Sequence, residues 1–102
     1  MWAFGIWLAA AAFAGDPDAG RSVYVAKCQA CHGASGKGDG AAAAALPKPP
    51  KDMTTKEFWA TMTDERLKST ISNGKAGGTM RPFPMSETQL DDLATYLRSL
   101  KP

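Results

Sequence analysis

The sequence predicts an all-α protein of about four short helices joined by long loops. Helix-capping residues recur in front of apolar residues at helical spacing, and no stretch alternates between polar and apolar residues as a strand would. Glycine- and proline-rich segments separate the predicted helices. Residues 15–102 form one small domain, and the thin core of such a domain commonly needs a disulfide, a metal or a cofactor.

Residues 1–14 have the pattern of a signal peptide. They carry no charged side chain and end in Ala12-Phe13-Ala14 before a polar stretch, so we expect export and cleavage after Ala14. The apolar run is shorter than the roughly 20 residues that span a bilayer. Because no Lys or Arg precedes it, a misplaced start codon and a retained anchor stay open as alternatives. The predicted organisation is a signal peptide over 1–14 and one domain over 15–102.

The first predicted helix begins at Asp16-Pro17. Aspartate is a favoured N-cap, and proline suits the first helical position because the N–H that it lacks would have no partner there. We expect this helix to run to about Lys27. Residues 33–53 contain glycine, alanine and proline without an amphipathic period, which predicts a long loop. Loops of this length in a compact domain usually have a function, such as wrapping a cofactor.

Capping motifs predict three further helices. Thr54 with Glu57 and Ser86 with Gln89 match the capping-box pattern, and Thr63 can cap a helix that stops at Asn73-Gly74. The apolar residues carried by these helices are Phe58, Trp59, Leu67, Ile71, Leu90, Leu93, Ala94, Leu97 and Leu100.

The segment KCQACHG, residues 27–33, holds both cysteines and the only histidine of the chain. A disulfide between Cys28 and Cys31 would close a very small loop, stabilise the fold little and leave His32 unexplained. A redox dithiol of this spacing belongs in a βαβ unit, but no strand is predicted. A structural zinc site needs four ligands, so a carboxylate or water would have to complete the set.

Covalent haem attachment uses all three residues. Two thiols one helical turn apart can each form a thioether to a haem vinyl group, and the adjacent histidine is then held beneath the iron as the proximal ligand. C-x-x-C-H is the attachment signature of c-type haem, and this attachment occurs in exported proteins, which agrees with the leader. We therefore predict one covalent haem c, attached through Cys28 and Cys31, with its iron bound by His32.

Two segments resemble the class I c-type cytochromes, which are small single-haem electron carriers: GRSVYVAKCQACHGASGKGDG and GGTMRPFPMSETQLDDLATYLRSL. The specific matches are a tyrosine four residues before the first cysteine, C-x-x-C-H, a Met-x-Pro-Phe segment and a C-terminal helix containing TYLRSL. The resemblance implies the cytochrome c fold over 15–102, wrapped round the haem, with an N-terminal and a C-terminal helix crossing beside it. The matching positions at that crossing are Gly20, Tyr24, Leu93, Tyr96 and Leu97.

Methionine is the expected sixth iron ligand. The chain has no second histidine, and a neutral thioether raises the reduction potential. Met80 is favoured because it follows a glycine-rich loop outside the predicted helices, and the resemblance points to the same residue. Met85 is the second choice, since its position before a capping serine predicts a hydrophobic staple with Leu90. Met53 and Met62 lie close to helix starts, where a packing role suits them.

Further polar contacts to the haem are expected around this site. The resemblance implies that the His32 Nδ1–H donates to a carbonyl of a proline-containing loop, either Leu46-Pro47 or Pro49-Pro50. Three side chains could reach a haem propionate, with aromatic packing or plain exposure as the alternatives: Trp59, Tyr96 and Arg81.

These features predict a periplasmic electron carrier, not an enzyme, whose haem cycles between Fe(III) and Fe(II). The expected partners are redox proteins, namely a membrane quinol-oxidising complex or dehydrogenase and a terminal oxidase or reductase. A formal charge of +2 is too small to indicate nucleic-acid binding, and we expect a monomer. Two alternatives remain: a haem enzyme or gas sensor with an open sixth position, and a membrane-tethered subunit of a larger redox complex.

Overall fold

The computed structural model describes residues 15–75 and 77–102, and every regular element within them is helical. In chain order the elements are α1 Pro17–Lys27, α2 Gln29–His32, a 3₁₀ helix Ala41–Ala45, α3 Lys56–Ala60, α4 Asp64–Asn73 and α5 Glu87–Arg98. The prediction of an all-α fold is confirmed. The predicted signal peptide over 1–14 lies outside the described residues. In the described ranges no helix has the length and apolar character needed to cross a membrane.

Most helix ends coincide with the predicted capping residues. Side-chain oxygens of Asp16 and Thr63 accept backbone N–H groups in the first turns of α1 and α4. Ser86 and Gln89 form both hydrogen bonds of the capping box that opens α5. Helix α4 ends at Gly74, whose φ of 75° lies in the left-handed region that glycine adopts readily. Local hydrogen bonding therefore sets these boundaries, as the sequence predicts.

The predicted cap of α3 is wrong by one residue. The N-cap is Thr55, whose Oγ1 accepts the backbone N–H of Phe58 at 3.2 Å. Thr54 is engaged elsewhere, because its backbone N–H and its hydroxyl both donate to Asp52 Oδ1, at 2.8 and 2.5 Å. These hydrogen bonds hold the pKa of the Asp52 carboxyl below its usual value. Two local patterns compete for the same threonine, and the turn at Asp52 prevails over the capping box.

The long predicted loop contains one short helical element. Ala41–Ala45 forms a single 3₁₀ stretch between the glycines and the prolines of 33–53. Alanine loses no side-chain entropy in a helix, so a run of alanines can adopt this form without an amphipathic pattern. The remainder of 33–53 has no helix, in agreement with the prediction.

Helices α1 and α5 form the most extensive contact between any two described elements. A Cβ atom at Gly20 would overlap the carbonyl oxygen of Asp92 and lie 2.9 Å from the Tyr96 Cβ. One turn further along α1, the Tyr24 ring lies 5.3 Å from the Tyr96 ring, centroid to centroid, with the planes tilted by 49°. Tyr24 and Leu93 are fully buried at this contact. The predicted crossing positions are thus confirmed.

The buried core extends from this crossing towards α4. Its members are Tyr24, Met53, Leu67, Ile71, Leu90, Leu93, Ala94 and Leu97. Three ion pairs also join α4 to α5: Lys68 pairs with both Glu87 and Asp91, and Asp64 pairs with Arg98. Because these side chains are partly exposed, each pair contributes only about 0–1 kcal/mol. Apolar packing against α5, rather than charge, holds α4 in place.

Replacing Gly20 with alanine should lower the free energy of unfolding by about 1–3 kcal/mol, the usual cost of forcing a methyl group into packed atoms. This loss should appear even though alanine normally favours a helix. Chemical denaturation followed by circular dichroism measures it. The matched control is Ser22→Ala at an exposed position of the same helix, which should change stability by less than about 0.5 kcal/mol. An unchanged stability for Gly20→Ala would contradict close packing at the crossing.

Candidate functional site

The C-x-x-C-H residues lie together on one turn where α1 meets α2. Cys28 is both the last cap of α1 and the first of α2. Its backbone N–H donates to the Tyr24 carbonyl at 2.8 Å, and its own carbonyl accepts from His32 N at 2.9 Å. Cys31 and His32 belong to α2, so the structure brings the three predicted residues together through backbone hydrogen bonds alone.

Both cysteines are free thiols and both are half-buried. Burial raises the pKa of the Cys28 thiol to about 11, so this thiol is protonated at neutral pH. The two cysteines form no disulfide with each other in this structure. Across residues 15–75 and 77–102, no group of three or more His, Cys, Asp or Glu side chains is arranged to hold a metal ion, which counts against the zinc alternative. The same residues form no strand, so the βαβ dithiol also lacks its framework.

The imidazole of His32 is half-buried. Burial lowers its pKa, which favours the neutral form that can bind a metal. Its Nδ1 is buried and has no hydrogen-bond partner among the described residues. Buried polar atoms are rarely left unpaired, so this ring has the hydrogen-bonding capacity expected of a ligand-binding residue.

The predicted carbonyl partner of His32 is wrong for this structure. Neither the Leu46-Pro47 nor the Pro49-Pro50 segment accepts a hydrogen bond from Nδ1. The Pro50 carbonyl lies close to Gly38, whose N–H donates to the His32 carbonyl, so this segment is near the backbone of the motif without bonding the ring. Leu46 instead closes the 3₁₀ helix by donating its N–H to Ala43.

The glycine-rich loop after the motif folds back onto it. Gly38 N–H donates to the His32 carbonyl at 2.8 Å, and Gly40 N–H donates to the Cys31 carbonyl at 3.0 Å. Gly33, with a φ of 86°, turns the chain sharply out of α2. The Gly33 carbonyl accepts from the Tyr24 hydroxyl, a contact that no sequence pattern indicated. Carbonyls of residues 31–33 thus accept hydrogen bonds from Tyr24, before the motif, and from the glycine-rich loop after it.

Met80 lies in a segment that is tied to the end of α4. Its carbonyl accepts from Lys75 N at 3.2 Å, and Phe83 N donates to the Ile71 carbonyl at 2.8 Å. A Cβ atom at Gly74 would lie 2.8 Å from the Met80 carbonyl oxygen, so glycine allows this close approach. The Met80 side chain is half-buried and, like that of Cys28, packs against the buried core. The backbone of Met80 is therefore fixed by a hydrogen bond, although Met80 does not belong to a helix.

The other methionines have structural positions. Met53 is 5% exposed, donates its N–H to the Gly36 carbonyl at 2.8 Å and accepts from Trp59 Nε1 at 2.7 Å. Met62 and Met85 are half-buried against the core at the starts of α4 and α5. These positions match the packing roles that the sequence predicts.

The three side chains that could reach a haem propionate all contact aromatic rings. The indole N–H of Trp59 is used by the Met53 carbonyl, so a propionate bond from Trp59 is not supported. Tyr96 stacks on Tyr24. Arg81 is exposed, and its guanidinium carbon lies 4.9 Å from the centre of the Phe83 ring. Trp59 and Tyr96 thus pack against neighbouring rings, and Arg81 is exposed.

Comparison with known proteins gives one consistent family. The sequence model of the Cytochrome c family matches residues 17–101. Cytochrome c6 of Gloeothece citriformis (strain PCC 7424) is 38% identical over 96 residues, covering 92% of this chain and 80% of that protein. Cytochrome c-554(547) of Halothiobacillus neapolitanus is 31% identical over 105 residues, covering 86% of this chain and 100% of that protein.

Solved structures share the fold. A chain of the Kuenenia stuttgartiensis reducing HAO-like protein complex Kustc0457/Kustc0458 matches with a TM-score of 0.70 and 28% identity over 82% of this chain, which spans 42% of that chain. The c-type cytochrome KustC0563 matches with a TM-score of 0.63 and 22% identity, covering 81% of this chain and 98% of that one. The protein therefore belongs to the cytochrome c family, and it is an electron-transport protein with a covalently bound haem c and its iron.

Proposed function

We propose that this protein is a periplasmic single-haem electron carrier. The observation that supports this function best is the site on α1 and α2, where two free thiols and a half-buried imidazole occupy one helical turn. This donor set fits haem c, because two thiols can form the two thioethers and the imidazole can bind iron. Cys28 and Cys31 attach the haem in this proposal, and His32 is the proximal ligand.

The proposed distal ligand is Met80. Its backbone is held by Lys75 while its side chain lies outside any helix and packs on the same core as Cys28. Met53 is a poorer candidate, since its backbone and side chain are already committed to the loop and the core. Met85 remains the second choice, next to the cap of α5, where its side chain and that of Leu90 belong to one apolar cluster.

A carrier function follows from two protein ligands on one iron. The haem supplies one-electron exchange between Fe(III) and Fe(II). Because His32 and Met80 would both hold the iron, no position would remain for a substrate, so the protein would act as an electron carrier and not as an enzyme. A thioether ligand raises the reduction potential. The tight crossing of α1 and α5 at Gly20 limits movement of the attached segment during each cycle.

The proposed partners are redox proteins on either side of the carrier in an electron-transport chain. A membrane quinol-oxidising complex or dehydrogenase supplies electrons, and a terminal oxidase or reductase accepts them. The formal charge of +2 on the polypeptide is offset by two haem propionates, so electrostatic steering of these encounters is weak. A monomer without affinity for nucleic acid suits this role.

A subunit of a larger redox complex is the second candidate function. The Kuenenia stuttgartiensis chain with the same fold belongs to a reducing HAO-like protein complex, and this chain spans 42% of its length. A retained leader would tether such a subunit to a membrane. The two functions differ in whether residues 1–14 are removed.

Replacing both Cys28 and Cys31 with alanine should abolish covalent haem attachment, because no other cysteine exists to form a thioether. Each single variant should keep the haem through one bond. Haem staining after denaturing electrophoresis detects attachment, and the pyridine haemochrome spectrum counts the saturated vinyl groups. Met85→Ala is the control and should retain both thioethers. Haem that stays on the double variant would contradict the proposed attachment.

Oxidised wild-type protein should show the weak far-red absorption band of a methionine sulfur bound to ferric iron. The band should disappear in Met80→Ala and survive in Met85→Ala, because only the first change removes the proposed ligand. Visible spectroscopy of protein matured in a periplasm measures it. Loss of the band in Met85→Ala alone would move the ligand to Met85, and a wild type without the band would support an iron with an open or different sixth position.

The mature protein should begin at Gly15. Intact mass measurement of protein recovered from the periplasmic fraction tests this, and a variant without residues 1–14 should stay in the cytoplasm without covalent haem. An intact leader on protein in the membrane fraction would instead favour the tethered subunit.

A further inference from the structure

Tyr24 makes a side-chain hydrogen bond to the haem-attachment segment. Its hydroxyl donates to the Gly33 carbonyl, directly after His32. Within residues 15–75 and 77–102 no other side chain forms a hydrogen bond with residues 28–33. The ring is fully buried. A hydrogen bond from a fully buried donor is stronger than an exposed one, because the local dielectric constant is low.

The same residue holds both ends of the segment. At the first end, the Tyr24 carbonyl accepts the N–H of Cys28 at 2.8 Å. At the other end, its hydroxyl holds Gly33, where a φ of 86° turns the chain towards the glycine-rich loop. The chain between Cys28 and Gly33 carries Cys31 and His32. Tyr24, in α1, therefore contacts both ends of the attachment turn.

The phenol is suited to act as a permanent donor. Burial, followed by the nearby Cys28, raises the pKa of Tyr24 to about 12. The hydroxyl therefore stays protonated throughout the physiological pH range. The tilted contact with Tyr96, at 5.3 Å between ring centres, packs against the ring whose hydroxyl bonds Gly33.

We propose that Tyr24 is a positioning residue for the haem iron: by holding the Gly33 carbonyl, its hydroxyl fixes the peptide that carries His32 and so helps to set the reduction potential. This inference rests on the proposed ligation by His32. It assigns a redox role to a hydroxyl group whose ring would pack equally well without it.

The effect is expected to act through the loop that follows the motif. Gly36 N–H also donates to the Gly33 carbonyl, at 3.3 Å, and Gly38 N–H donates to the His32 carbonyl. Without the Tyr24 hydroxyl, the Gly33 carbonyl keeps only the weaker hydrogen bond from Gly36. The chain should therefore still fold, but the glycine-rich loop should open more often. More frequent opening admits water to the proximal side, and water favours the more charged ferric state.

The test compares Tyr24→Phe with Tyr96→Phe in haem-loaded protein. Each change removes one hydroxyl from the same aromatic pair, but the Tyr96 hydroxyl forms no hydrogen bond with described residues. Tyr24→Phe should lower the midpoint potential and speed amide hydrogen exchange at Gly38 roughly fivefold, the change that losing one net hydrogen bond implies. Exchange at Gly74, whose N–H bonds Thr70 in α4, should not change.

Equal midpoint potentials for the two variants, or unchanged exchange at Gly38, would overturn the proposal. The far-red band of the wild type is recorded alongside, because it tests the axial ligands independently of Tyr24. If the wild type lacks the band but only Tyr24→Phe shifts the midpoint potential, the Met80 assignment is contradicted. The positioning role of Tyr24 is then still supported.

A second measurement tests the role of the Tyr24 hydroxyl even if Tyr24→Phe yields no mature protein. The chain has two tyrosines, so 3-fluorotyrosine supplied to the Tyr96→Phe variant labels position 24 alone. The fluorinated phenol is a stronger donor with nearly the same shape, and it should slow exchange at Gly38 relative to unlabelled Tyr96→Phe. Identical exchange rates in the labelled and unlabelled proteins would contradict the role of the hydroxyl.

Discussion

The close crossing of α1 and α5 is the contact on which the rest of the structure depends. At Gly20 the two helices approach so closely that a single methyl group would overlap the Asp92 carbonyl. This approach buries Tyr24 completely and places its ring against Tyr96. Because α1 leads directly into the attachment turn, the crossing also determines where Cys28 lies relative to the core. In a domain with so few buried side chains, one tight helix contact orients both the core and the site.

The site is built from two backbone segments that meet the same core. The attachment turn receives hydrogen bonds from the glycine-rich loop, at the carbonyls of Cys31 and His32. The Met80 segment is held by Phe83, which bonds Ile71 in α4, and by Lys75, which lies just beyond the end of α4. Neither segment is helical beyond the short α2, so backbone hydrogen bonds and glycine conformations take the place of regular structure. Such loops can hold opposite sides of a cofactor while the helices provide the stable frame.

Local competition explains where sequence patterns misplace a contact. Thr54 matches a capping box, yet its hydroxyl bonds Asp52 and the cap passes to Thr55. The sequence allows the Trp59 indole to bond a propionate, but its N–H donates to the Met53 carbonyl. Likewise the proline-loop carbonyl expected to meet His32 lies against Gly38. Each case involves a donor or acceptor with more than one possible partner, and short-range patterns do not rank these partners.

The sequence by itself determined the all-α class, the four main helices and the attachment motif, because capping residues, apolar periodicity and C-x-x-C-H spacing are local signals. The tertiary structure alone decided that Tyr24 reaches Gly33, that the Trp59 indole bonds the Met53 carbonyl and that the Met80 segment lies against Gly74. These contacts join residues whose separation is set by how α1, α4 and α5 pack. Packing depends on the shape of the whole core, so no single stretch of sequence encodes it.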